Sequence, residues 1–223
     1  MIILVRHGEA THHTHKLTGG WTDSTLTAKG REQLQAVAVK LARDFCGHTA
    51  KIRIMASDLK RAVQSAEIIA NGFVDKPQVE KYQFLREKNN GQAAGMTEEE
   101  AKKIYCRPES EQELNHRNYP GGETRNEFYC RNIEGLLRYA DPEAENLLIV
   151  AHKGTIQNII FYWLGMDMKQ VVAQNFSVDI QPASVSVLGI NKWHEHAIFR
   201  LNDISHLTAD KGFGIFDFKY EKR

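Results

Sequence analysis

The chain begins Met1-Ile2-Ile3-Leu4-Val5 and breaks at once into Arg6-His7-Gly8-Glu9. Five consecutive apolar residues read as a short strand of a parallel sheet. Strands covered by helices on both faces are apolar throughout, where half-exposed strands alternate. Ligand sites of open α/β sheets lie at the carboxyl ends of their strands. The first five residues therefore constrain the fold class and mark Arg6 and His7 as candidate site residues.

Two later segments share this design. Leu147-Leu148-Ile149-Val150-Ala151 is a second apolar strand, ending in His152-Lys153-Gly154-Thr155. A helical pattern follows, so His152 meets a helix N-terminus with its free N–H groups. Residues 52 to 56 read as a third strand. Ser57 or Asp58 is expected to cap the next helix, with Arg61 one turn in.

Strands alternating with helices imply right-handed crossovers and a mostly parallel sheet. The expected architecture is α/β, a three-layer sandwich with helices on both faces of the sheet. Helices are expected over 27–45, 58–71 and from 122 or 123 to 139, the last with Phe128, Ile133, Leu136 and Leu137 inward. Residues 79 to 84 form a short strand, and 184–190 with 193–201 an antiparallel edge. The polar stretch 88–120 contains one helix, started by Thr97 and Glu98-Glu99-Glu100, and reads as a small cap insertion. Residues 1–223 thus form one domain with a cap at about 88–120.

The formal net charge of +1 gives no bulk electrostatic case for nucleic acid or an acidic membrane. Cys46, Cys106 and Cys130 are widely spaced and odd in number, which argues against a disulfide framework and for a cytoplasmic location. The opening apolar run is too short for a signal peptide or a membrane span.

The residues at the strand ends define a chemistry. Phosphate favours planar, permanently charged donors, which Arg6 and Arg61 supply. His7 is a competent nucleophile as a neutral imidazole, and His152, protonated, can stabilise charge in an in-line displacement. Glu87, in Leu85-Arg86-Glu87, just after a strand-like segment and at the mouth of the insertion, is the candidate proton donor for a leaving alcohol. Its rivals are Glu98, Glu99, Glu100 and Glu123. No metal or cofactor is needed for this scheme. Glu9 is expected to order its loop by hydrogen bonding. His12, His13 and His15 lack the cysteine or paired carboxylates of a zinc site and read as a mobile polar loop. His194 and His196 read as edge decoration, His206 as packing.

Seven ordered segments resemble the histidine phosphatase superfamily, the phosphoglycerate mutase-like family: LVRHGEA, GGWTDSTLTAKGREQ, ASDLKRAVQSAEI, FLREKNNGQAAGMT, PGGET, VAHKGT and LNDISHL. The resemblance implies that His7 is phosphorylated, Glu87 donates the proton, and Arg6, Arg61 and His152 bind the phosphoryl group. Two positions depart from the family pattern. His13 stands where asparagine is usual, so a phosphate contact is lost or made by an imidazole. Lys153 stands where glycine is usual and is expected at the pocket rim, favouring substrates with additional negative charge. Gly20 is also expected to contact substrate.

The expected activity is metal-independent hydrolysis of small phosphate monoesters. The alternatives are a cofactor-dependent phosphoglycerate mutase, disfavoured by the short segment between Glu87 and Gly121, and a non-catalytic module binding phosphorylated ligands. Phe84, Met96, Tyr105, Arg107, Arg117 and Tyr119 are candidates for the entrance. The aromatic tail, Phe213, Phe216, Phe218 and Tyr220, packs on the domain or pairs as an edge strand in a homodimer.

Overall fold

The computed structural model describes residues 1–46, 51–110 and 113–207. The aromatic tail and the dimer reading built on it lie outside these residues. Strand β1 (Ile2–Arg6) is followed by a short helix α1 (Thr11–Thr14) and then α2 (Ala28–Phe45). Next come β2 (Arg53–Ser57), α3 (Lys60–Ala70), β3 (Val79–Tyr82), α4 (Glu98–Lys103) and α5 (Arg125–Tyr139). The chain continues through β4 (Leu147–Ala151), α6 (Lys153–Trp163), α7 (Met168–Ala173), β5 (Val185–Ile190) and β6 (His196–Asp203).

The six strands form one sheet in the order β3-β2-β4-β1-β5-β6. β1, β2, β3 and β4 are mutually parallel, whereas β5 pairs antiparallel with β1 and β6 antiparallel with β5. The expected α/β sandwich with an antiparallel edge is therefore present. Alternation within each apolar strand divides the core into two. Ile2, Leu4, Leu147 and Ile149 pack against α5, α6 and α7, while Ile3, Val5, Leu148 and Val150 pack against α2 and α3.

This strand order places the site. β4 lies between β1 and β2, with Arg6 opposite Ala151 and Ala56 opposite Val150. The carboxyl ends of three adjacent strands thus deliver His7, His152 and Ser57 side by side.

Several elements differ from expectation. Helix α3 starts after Leu59, with no side-chain cap. Asp58 is instead held by both Arg86 Nε and Nη2 at 2.7 Å, and Ser57 Oγ turns to His152. Leu137 is half exposed, on the solvent face of α5. Phe84 is buried and stacks on Tyr139, so it belongs to the core and not to the entrance. β6 begins at His196, because residues 191–195 make a turn in which His194 has φ 63°. His196 is not edge decoration: its ring stacks on Trp163, 4.1 Å between centroids. Helix α7 had no expectation at all.

The segment 88–120 carries α4, whose Thr97–Glu100 capping box forms as its sequence predicts. It is tied to the loop after α1 through Thr18 N donating to Met96 O at 2.8 Å and a bridge between Leu17 and Thr97.

Candidate active site

His7 follows β1, with its backbone N–H donating to Ala151 O of β4 at 3.0 Å. The loop can turn here because two glycines face each other. A Cβ on Gly30 would lie 2.0 Å from Glu9 O, and one on Gly8 would lie 2.6 Å from Gly30 O. The first turn of α2 therefore closes directly onto the loop. Glu9 ties the two together, accepting from Thr27 Oγ1 at 2.8 Å.

His7 Nδ1 lies 2.7 Å from Gly8 O. A carbonyl only accepts, so Nδ1 carries the proton and Nε2 presents a lone pair. Arg61 Nε donates towards that lone pair at 3.3 Å. Arg61 is almost fully buried and is fixed by Thr22 O and Gly20 O, both at 2.7 Å. Gly20 reaches the site through this carbonyl. Its φ of 66° favours glycine, and a Cβ there would meet Lys88 O at 2.8 Å.

His152 is the N-cap residue of α6. Its ring is 5.1 Å from that of His7, centroid to centroid. Nε2 pairs with Ser57 Oγ at 2.9 Å, while the buried Nδ1 has no partner among the described residues. Arg6 donates from Nη1 to Ile180 O at 2.6 Å, and its Nη2 lies 3.3 Å from His13 Nε2. His13 Nδ1 accepts from the Ala10 N–H at 3.2 Å. A neutral His13 must then carry its proton on Nε2, so Arg6 and His13 present two donors side by side. An oxyanion between them would satisfy both.

Loop residues 12–13 are not a mobile segment. α1 places His13 stacked on His7, and His12 is buried with Nδ1 2.9 Å from Ser24 Oγ. His15 is exposed. Among the described residues, no three His, Cys, Asp or Glu side chains are grouped so as to hold a metal ion.

The field of this cluster is strongly positive. Burial, then Arg61, His152 and Arg6, hold the His7 imidazole well below its usual pKa. Burial followed by Arg61 and Arg6 does the same to His152. His12 falls to about 3, from burial first, then His13, Arg61 and Arg6, and His13 to about 4, from burial first, then Arg6 and Arg61. Burial brings Arg61 down to about 10, so it stays charged at neutral pH. Neutral imidazoles around one buried and one half-buried guanidinium, Arg61 and Arg6, are a receptor for an anion, and a bound dianion would favour the protonated form of His152.

Glu87 reaches the cluster from the turn after β3. Its Oε2 accepts from Gly154 N at 3.0 Å and its Oε1 from Lys88 N at 2.9 Å. Its charge acts on both Arg6 and Arg61. Glu98, Glu99 and Glu100 are exposed, and Glu123 is bound by Arg131 through both carboxylate oxygens. Lys153 lies at the cavity edge, paired with Asp179 at 2.5 Å.

A match to the family model of the histidine phosphatase superfamily (branch 1) extends over residues 2–203. The chain belongs to that superfamily. Phosphoglycerate mutase-like protein 4 of Arabidopsis thaliana is 33% identical, covering 96% of this chain and 91% of that protein. Metal-independent phosphoserine phosphatase of the same plant is 26% identical, covering 93% of this chain and 83% of that protein. The crystal structure of the alpha-ribazole phosphatase from Shigella flexneri superposes with a TM-score of 0.71 at 22% identity, covering 91% of this chain and 96% of that one. That structural likeness concerns the histidine phosphatase fold.

Three contributors escaped the sequence reading. Ser57 was legible only as a cap. Ser24 supports both His12 and Arg61. Arg131 of α5 donates to the carbonyls of Gln83, Phe84, Arg86 and Glu87, which staples the turn carrying the acid. An arginine in a polar helix face carries no local signal of that role.

Proposed function

We propose that this histidine phosphatase superfamily member is a metal-independent phosphomonoester hydrolase acting on small phosphorylated metabolites through a phosphohistidine. The supporting observation is the tautomer of His7: Nδ1 is committed to Gly8 O, leaving the Nε2 lone pair beside Arg61 and His152.

In the first step Nε2 attacks phosphorus and the bond to the alcohol oxygen breaks. Glu87 gives that oxygen its proton. Arg6, Arg61, His152 and the His13 Nε2–H hold the phosphoryl oxygens and stabilise their charge. In the second step Glu87 takes a proton from water, water attacks phosphorus, and the N–P bond breaks to release phosphate and neutral His7.

Rapid acid quench with phosphate-labelled ester tests the scheme. Acid-labile label on His7, together with loss of p-nitrophenyl phosphate turnover by roughly 10³-fold or more in His7→Ala, is expected. Turnover without such an intermediate would defeat it, and turnover of any ester removes the non-catalytic reading.

The mutase alternative draws on similarity to a phosphoglycerate mutase-like protein. Release of inorganic phosphate without any dependence on 2,3-bisphosphoglycerate separates the two.

A further inference from the structure

We propose that Lys88 and Arg125 form a second anion site, which selects phosphate esters whose alcohol carries its own negative charge, a carboxylate or another phosphate. The inference rests on the hydrolase reading and extends it to the leaving group.

A proton donor must face the departing oxygen, so the alcohol lies on the Glu87 side of the phosphoryl group. A cavity of about 400 Å3 opens there, with Glu87 and Gly154 in its wall. Lys88, Arg125 and Lys153 also line it. Of these cations Lys153 already has its acid, Asp179. Lys88 Nζ donates to the neutral Asn118 Oδ1 at 3.0 Å. Arg125 makes no hydrogen bond or ion pair among the described residues.

Other acids nearby are committed elsewhere: Glu123 to Arg131 and Glu127 to Arg117. Burial first and the Arg125 charge second depress the Lys88 pKa, with Glu123 and Glu87 opposing. Two like charges thus line one partly enclosed space, and neither forms an ion pair with a carboxylate among the described residues. An anionic ligand would relieve that repulsion and gain charge-assisted hydrogen bonds. Phe128, Phe161 and Val171, all buried, supply an apolar floor for a carbon skeleton. The selectivity expected of Lys153 from sequence is therefore assigned to Lys88 and Arg125.

Three propyl esters differing only at their far end test this: 3-hydroxypropyl phosphate, 3-(phosphonooxy)propanoate and propane-1,3-diyl bisphosphate. The two ionised ends distinguish a carboxylate site from a phosphate site. At least one of them should exceed the hydroxyl ester in kcat/KM by about tenfold or more, the scale of a charged hydrogen bond. Lys88→Gln and Arg125→Gln should each reduce that preference several-fold, mainly through KM. Lys192→Gln, in a remote turn, should leave it unchanged.

Calorimetric binding of the same esters to His7→Ala protein supplies a readout independent of turnover. If this binding preference is found while the wild-type protein hydrolyses none of the three esters, the subsite stands and the hydrolase reading falls. Equal binding of all three esters, a preference that survives both substitutions, or an equal effect of Lys192→Gln overturns the subsite.

Discussion

The Glu87 carboxylate accepts the backbone N–H of Gly154, so the first turn of the helix capped by His152 also positions the acid. A Cβ on Gly154 would lie 2.4 Å from Glu87 Oε1 and 2.9 Å from Phe128 Cε1. Gly154→Ala must therefore displace Glu87 or the Phe128 ring. We expect kcat on an alkyl phosphate to fall about 10²-fold, the scale of general-acid catalysis. The loss on p-nitrophenyl phosphate should be smaller, since nitrophenolate departs with little protonation. Equal losses on both esters would assign the effect to something other than the acid.

Ser57 holds Nε2 of the buried His152, whose Nδ1 is unpartnered among the described residues. Ser57→Ala leaves that nitrogen without its mate and the ring without its anchor. Vanadate should bind roughly tenfold more weakly, consistent with losing about one hydrogen bond's worth of positioning. Inhibition constants on both proteins check this, and Ser57→Thr, which restores the hydroxyl, should recover most of the affinity.

Arg131 spans four carbonyls of the turn bearing Glu87 and is itself paired with Glu123. A lysine cannot reproduce the planar fork. Arg131→Lys should lower kcat about tenfold with KM nearly unchanged, because the acid shifts while the phosphate cradle stays. A change confined to KM would refute a positioning role.

Stability should fall with acid. His7, His12, His13 and His152 all have folded-state pKa values below that of an unfolded histidine. Below about pH 6.5 the unfolded chain gains protons that the folded chain does not, so unfolding is favoured as pH drops. The loss continues to about pH 4 for His13 and about pH 3 for His12. Melting temperatures measured from pH 7.5 to 4.5 should decline steadily, and saturating vanadate should raise them throughout. Because burial and the neighbouring cations keep His7 neutral well below its usual pKa, an acid limb of kcat/KM set by His7 should lie well below pH 6.5.

Much of this organisation was legible because it is local. Continuous apolar runs at 1–5 and 147–151 are the length of doubly covered strands and too short for a helix, and polar residues immediately after such strands emerge at a sheet end. Capping patterns such as Thr97 with Glu100 act within four residues and formed as read. Leu137 misled because its i+1 spacing from Leu136 turns it some 100° around the helix. His12 and His13 misled because polar composition resembles a loop, whereas their burial depends on Arg6, Ser24 and His7 arriving from elsewhere.

The sequence by itself determined the fold class and the set of cations and imidazoles at the strand ends, since hydrophobic periodicity and helix signals act over a few residues. Only the tertiary structure decided how they work together. Inserting β4 between β1 and β2 brings His7, His152 and Ser57 into contact across 145 and 95 positions of chain, counted from His152 to His7 and to Ser57. The same assembly pairs Lys153 with Asp179 and gives Lys88 and Arg125 no ion pair with an acid among the described residues, because pairing depends on which side chains meet in space, and chain spacing carries no record of that.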